Sequence, residues 1–87
     1  MDKREQQVQE LINVYREKAK AFSNEELIKN WEDIVIHSSY YSMSGDDNIV
    51  IEIFGEELIS RELKTLIELQ EFVKFHSIEA KKQLDNE

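Results

Sequence analysis

Asn48-Ile49-Val50-Ile51-Glu52-Ile53-Phe54-Gly55 is the stretch that decides the fold class of this 87-residue chain. Its Ile, Val and Phe suit a strand, and the run is short. A strand needs a neighbour to pair with, and an isolated one is not stable. The rest of the chain offers no second strand, so a pairing partner would have to come from another subunit. Read at helical period, Val50, Ile51, Phe54 and Leu58 form one continuous stripe. The flanking segments are all helical in pattern, and 48–55 is therefore expected to be helix.

Downstream, 56–83 reads as a single long helix. Ile59, Leu63, Leu66, Ile67, Leu69, Phe72, Val73 and Phe75 give it a broad apolar face. Gly55 marks the join, where a glycine inside a helix costs ~1 kcal/mol relative to alanine. Upstream lies the one clear break in the pattern, Ser38-Ser39-Tyr40-Tyr41-Ser42-Met43-Ser44-Gly45-Asp46-Asp47. Its serines, glycine and aspartate pair mark a loop over 39–47, with Asp46 or Asp47 placed to cap the next helix.

Before that loop, Ser23-Asn24-Glu25-Glu26 forms a capping box. The Ser23 hydroxyl is placed to accept from the Glu26 amide, and the Glu26 carboxylate to accept from the Ser23 amide. A helix over 24–38 follows, with Leu27, Ile28, Trp31, Ile34 and Val35 on one face. Residues 2–22 read as the first helix, through Val8, Leu11, Ile12, Tyr15, Ala19 and Phe22.

The expectation is an all-α fold: a three- or four-helix antiparallel bundle in a single domain, 1–87, with helices at about 2–22, 24–38, 48–55 and 56–83. The last helix is long enough to overhang its partners, and a second copy of the chain would bury the apolar face left over. The absence of proline and the presence of only two glycines fit this reading.

Composition restricts function more than it reveals it. No run approaches the ~18 apolar residues of a membrane span, and the charged N-terminus lacks the apolar core of a secretory signal. A cytoplasmic protein is expected. There is no cysteine, so neither a disulfide nor a thiolate metal site is available. The chain carries 11 basic and 19 acidic residues. The excess is confined to residues 25–71, which hold twelve acidic and three basic groups, net −9. Such a region repels phosphate backbones and speeds encounter with basic protein surfaces.

No catalytic constellation stands out. Asp33 and His37 share a helix face, whereas Glu71 and His76 do not share one well. Neither histidine has the convergent ligands a metal needs. Asp46-Asp47-Asn48 lacks the acidic alternation and closing glutamate of a calcium loop. Paired carboxylates such as Glu25-Glu26, Glu32-Asp33 and Glu56-Glu57 sit on solvated helix faces, without the apolar pocket that general acid–base work requires. No enzyme activity, cofactor or metal is expected.

Trp31 belongs to the apolar stripe and is assigned to the core. Tyr40 and Tyr41 cannot both face inward on one helix. One reading makes them an interface anchor with a charged rim. The other packs Tyr40 over the end of the bundle and leaves Tyr41 as amphipathic surface.

Two resemblances bear on function. Leu58-Ile59-Ser60-Arg61-Glu62-Leu63-Lys64-Thr65-Leu66-Ile67-Glu68-Leu69-Gln70 resembles the second-helix motif Leu-Ser-x-Glu-Leu-Asp-x-Leu-Ile of the small sporulation aspartyl-phosphate phosphatases. Ser60, Glu62, Leu63, Leu66 and Ile67 match, and Lys64 stands where the catalytic aspartate would be. The resemblance implies a helical signalling regulator without the phosphatase reaction. The whole chain also resembles the short, Lys-, Glu- and Ile-rich orphan proteins of phages and mobile elements of low-GC Gram-positive bacteria. Ser-Asn-Glu-Glu-Leu-x-x-x-Trp-Glu at 23–32 and Gly-Glu-Glu-Leu-Ile-Ser-Arg-Glu-Leu at 55–63 carry that likeness. It implies an inhibitor of host machinery, of the anti-CRISPR type, presenting carboxylates where a nucleic-acid-binding protein expects phosphates.

The expected function is thus an acidic protein-binding module that docks on a basic protein surface and does not itself bind nucleic acid or membrane. Its contact residues are expected at Tyr40, Tyr41, Asp46, Asp47, Glu52, Glu56 and Glu57. The alternatives are the helical regulator and a self-associating assembly protein that dimerises through the C-terminal helix.

Overall fold

The computed structural model describes residues 3–41 and 47–85. Four helices make up these residues: α1 Lys3–Ala21, α2 Asn24–Tyr40, α3 Asp47–Ser60 and α4 Leu66–Asp85. The fold is all-α with antiparallel packing. α3 packs against both α1 and α2, and α4 packs on α2. The molecule measures 44 × 33 × 19 Å. Its shortest dimension is under two helix diameters of about 10–12 Å each, so few side chains can be enclosed on all sides. Among the described residues, Leu27, Leu58 and Val35 are the largest side chains almost wholly removed from solvent.

The stretch 48–55 is helix, as its stripe requires. It is apolar on more than one side because α3 lies between two helices. Val50, Ile53, Phe54, Gly55 and Leu58 are all buried there. Phe54 meets the edges of Tyr15 and Phe22 from the α1 side, with ring centroids 6.2 and 5.7 Å away. Across α2, Trp31 packs on Phe72 of α4 at 5.2 Å.

The expected helix boundary at Gly55 and the expected single helix over 56–83 are both corrected. α3 runs through Gly55 to Ser60, and the chain turns at 61–65. Two local devices force that turn. At the end of α3, the Leu63 amide donates to the Leu58 carbonyl and the Glu62 amide to the Ile59 carbonyl. This is the paired-bond pattern of a Schellman C-cap, with Glu62 in the left-handed position at φ 60°. Leu63 and Leu58 occupy the two positions whose apolar contact commonly accompanies that cap. Thr65 then opens α4 with a second capping box. Its hydroxyl accepts from the Glu68 amide, and the Glu68 carboxylate accepts from the Thr65 amide.

The first capping box is formed as expected, with Ser23–Glu26 bonds of 3.1 and 3.2 Å. α2 extends to Tyr40 rather than 38, and α3 begins at Asp47.

Arg61, in the turn, ties the two ends of the fold together. Its guanidinium donates to the carbonyls of Ala19, Lys20 and Phe22, to Asn24 Oδ1 and to Glu57 Oε1, at 2.9–3.2 Å. Ala19 and Lys20 lie in the last turn of α1, where carbonyls have no partner within the helix. Arg61 therefore caps α1 from 39 to 42 residues away.

Candidate protein-binding groove

α3 and α4 both rest on α2, and a groove of about 490 Å³ runs between them. Its floor is Trp31, with Gly55 and Leu69 on the two sides. Ile59 and Leu66 stand at its lips, 39% and 57% exposed. The α3 rim carries Glu52 and Glu56, one helical turn apart and both exposed. The α4 rim carries Gln70 and Lys74.

Gly55 sets the depth of this groove. The Trp31 indole N–H donates to the Ile51 carbonyl at 3.0 Å. To reach that carbonyl, the ring must pass close to the backbone of α3. A β-carbon at Gly55 would stand 3.4 Å from Trp31 Nε1 and 3.3 Å from Leu69 Cδ1. The glycine thus has a packing reason to sit mid-helix, against its lower helix propensity.

The contact residues expected from sequence fall into separate places. Glu52 and Glu56 are on the groove rim. Glu57 instead faces away from it. Glu57 is 3.0 Å from Arg61, with 22% of its side chain exposed, and is committed to that clip. Tyr40, half-buried, lies across α4, with its hydroxyl 3.2 Å from His76 Nδ1. His76 also packs on Phe72 and Phe75. Tyr41 is 75% exposed and stacks on His37 at 5.3 Å. Asp47 is half-buried in the first turn of α3. Asp46 lies outside the described residues.

The groove itself is not legible in the sequence, because its walls come from segments some fifteen residues apart, joined by a turn across which the apolar spacing stays helical. One local signal points to it: Gly55, directly after the apolar run 49–54, marks a close approach by another group. The 58–70 stretch that resembles the phosphatase motif is divided by the turn. Ser60 ends α3, Glu62 and Lys64 lie in the turn, and Leu66 and Ile67 begin α4. No single helix displays these residues together.

The first capping box also sets the acidity of Glu26. The Ser23 amide, and then the Ser23 hydroxyl, hold its carboxyl below the ordinary 4.5. That is the signature of a helix cap. Among the described residues, no three of His, Asp and Glu gather as a metal ion would need, and no helix is long and apolar enough to cross a membrane. Comparisons with protein-family models, curated proteins and solved structures find no match to this chain.

Proposed function

We propose that this chain is an acidic protein-binding module whose α3–α4 groove receives an amphipathic, basic helix from the surface of a partner protein. One observation carries the reading: an open apolar groove floored by Trp31 has two carboxylates, Glu52 and Glu56, in line along one rim. A helix laid in such a groove buries its apolar stripe on Trp31, Ile59, Leu66 and Leu69. Lysines or arginines flanking that stripe then meet Glu52 and Glu56. The surrounding charge supports the same partner. Residues 25–71 carry net −9, and one of their three cations, Arg61, is turned inward onto carbonyls. The field of that net charge attracts and steers basic partners.

The partner class follows from the same charge. A basic surface with apolar residues between its cations is common on nucleic-acid-binding proteins, and an inhibitor that covers such a surface competes with phosphate. That argument supports an inhibitor of a nucleic-acid-binding protein; its assignment to a phage or mobile element rests only on the resemblance carried by 23–32 and 55–63.

The test is a binding titration with a labelled amphipathic Leu/Lys helix peptide, followed across a salt series. Affinity is expected to fall as salt rises, because exposed charge pairs are screened within about 10 Å at 0.1 M. Glu52→Lys with Glu56→Lys should lower affinity about tenfold or more. Leu66→Ala should lower it without changing the salt slope, because it removes apolar contact and no charge. Binding that ignores all three substitutions places the site elsewhere. Competition by DNA for a captured natural partner then tests the nucleic-acid part of the reading.

A further inference from the structure

α4 carries two apolar stripes, and the fold uses only one. Leu69, Phe72, Val73, His76 and Ala80 face the bundle. Ile67, Phe75 and Ile78 lie on the opposite side, 66%, 59% and 45% exposed. Single exposed apolar residues are ordinary. Phe75 and Ile78 share a line with two charges, and the order along it is specific: Glu71, Phe75, Ile78, Lys82. At about 100° per residue, these four positions fall within about 60° of arc. Their spacings are four, three and four residues, so the line reads acid, apolar, apolar, base, and is complementary to its own reverse.

We infer that this face of α4 binds a second copy of the chain, antiparallel, across a two-fold axis passing between Phe75 and Ile78. In that register Phe75 of each copy packs on Ile78 of the other. Glu71 of each copy meets Lys82 of the other, so two ion pairs close the ends of the apolar contact. A two-fold interface must be self-complementary, and this line of side chains meets that demand in both shape and charge. Lys82 lies 3.5 Å from Glu79 in the single chain, with 67% of its side chain exposed. Such an exposed pair holds it only weakly, so the change of partner is cheap.

α4 has 20 residues and is about 30 Å long. One stripe of that length gives an interface at the lower end of those that are specific. The dimer is therefore weak and concentration-dependent. It leaves the α3–α4 groove open, since Glu71, Phe75, Ile78 and Lys82 do not line it. The inference stands independently of the proposed function.

Sedimentation of the full chain from about 10 µM to 1 mM should show a monomer–dimer equilibrium in that range. Phe75→Asp should leave a monomer throughout, with the helical circular dichroism unchanged, because Phe75 is on the outer side. Glu71→Lys alone and Lys82→Glu alone should each weaken the dimer about tenfold or more. Mixing those two variants should restore association as a heterodimer, because each then supplies the charge the other lacks. A wild-type chain that stays monomeric at the highest concentration overturns the inference. So does a dimer that survives Phe75→Asp, or a mixture of the two charge variants that associates no better than either alone.

Discussion

Arg61 Nη2 lies 2.9 Å from the Ala19 carbonyl, across 42 residues of sequence. Through this and its other bonds, one guanidinium closes the end of α1, reaches Asn24 at the start of α2 and pairs with Glu57 on α3. The planar fork supplies donors in several directions at once, which a lysine ammonium cannot reproduce in the same geometry.

Arg61→Lys is expected to destabilise the chain by about 2 kcal/mol, given that bonds to charged groups contribute about 1.5–3 kcal/mol each and that 20% of this side chain remains exposed. Chemical denaturation measures it directly. A variant with an unchanged midpoint would mean that solvent replaces Arg61 on the α1 carbonyls at no cost.

Glu62 bears the opposite kind of strain. It holds φ 60° to complete the cap of α3, a conformation that costs a residue with a β-carbon about 1–2 kcal/mol. Glu62→Gly relieves that strain but loosens the unfolded chain. The net gain should be about 0.5–1 kcal/mol, read as a higher denaturation midpoint at constant slope.

The same residue explains why the turn at 61–65 was not legible. Helix ends are usually announced by glycine or asparagine, and the chain has neither there. Moreover, Ile59, Leu63 and Leu66 keep helical spacing straight across the break, so the apolar periodicity conceals it. Thr65-Leu66-Ile67-Glu68 did announce a start, in the same four-residue form as Ser23-Asn24-Glu25-Glu26. The second box is masked because Leu63, Leu66 and Ile67 carry the apolar pattern straight across it. The fold class is legible all the same, since α3 and α4 are helices wherever the boundary falls. The groove is not, because it exists only where two separate helices share α2. The acidic rim was half legible: Glu52 and Glu56 are placed by position on α3, whereas the commitment of Glu57 to Arg61 depends on tertiary packing.

Gly55→Ala and Gly55→Leu should separate helix propensity from groove geometry. The alanine β-carbon meets a Leu69 methyl and the Trp31 ring edge at 3.3 and 3.4 Å. The propensity gain of about 1 kcal/mol offsets that crowding, so the alanine variant should lie within about 0.5 kcal/mol of the parent. A leucine has no room beside Trp31 and should cost about 2 kcal/mol or more. It should also redden and weaken-quench the Trp31 emission as the indole N–H leaves the Ile51 carbonyl and meets water. A leucine variant as stable as the parent, with unchanged fluorescence, would show that the groove floor is not held by this contact.

Thr65→Ala tests the second capping box on its own. The substitution removes the hydroxyl that accepts from the Glu68 amide. The expected loss is about 1 kcal/mol, with amide exchange increasing first at the N-terminal turn of α4.

Acid should act on the other box through Glu26. Its folded carboxyl is held below 4.5, first by the Ser23 amide and then by the Ser23 hydroxyl, while in the unfolded chain it titrates near the ordinary value. The charged form is thus favoured by folding, and the stability it contributes is fully present above pH 4.5. As pH falls through the lowered folded value, the carboxylate is protonated in both states and that contribution is lost. Glu26→Gln has no charge to lose. The midpoint difference between parent and variant should therefore be constant above about pH 5 and shrink steadily below pH 4.5. Carbon-detected titration of the Glu26 side chain should give a midpoint below 4.5. A midpoint at or above that value, or a midpoint difference that does not change with pH, would mean that the Ser23–Glu26 bonds do not persist in solution.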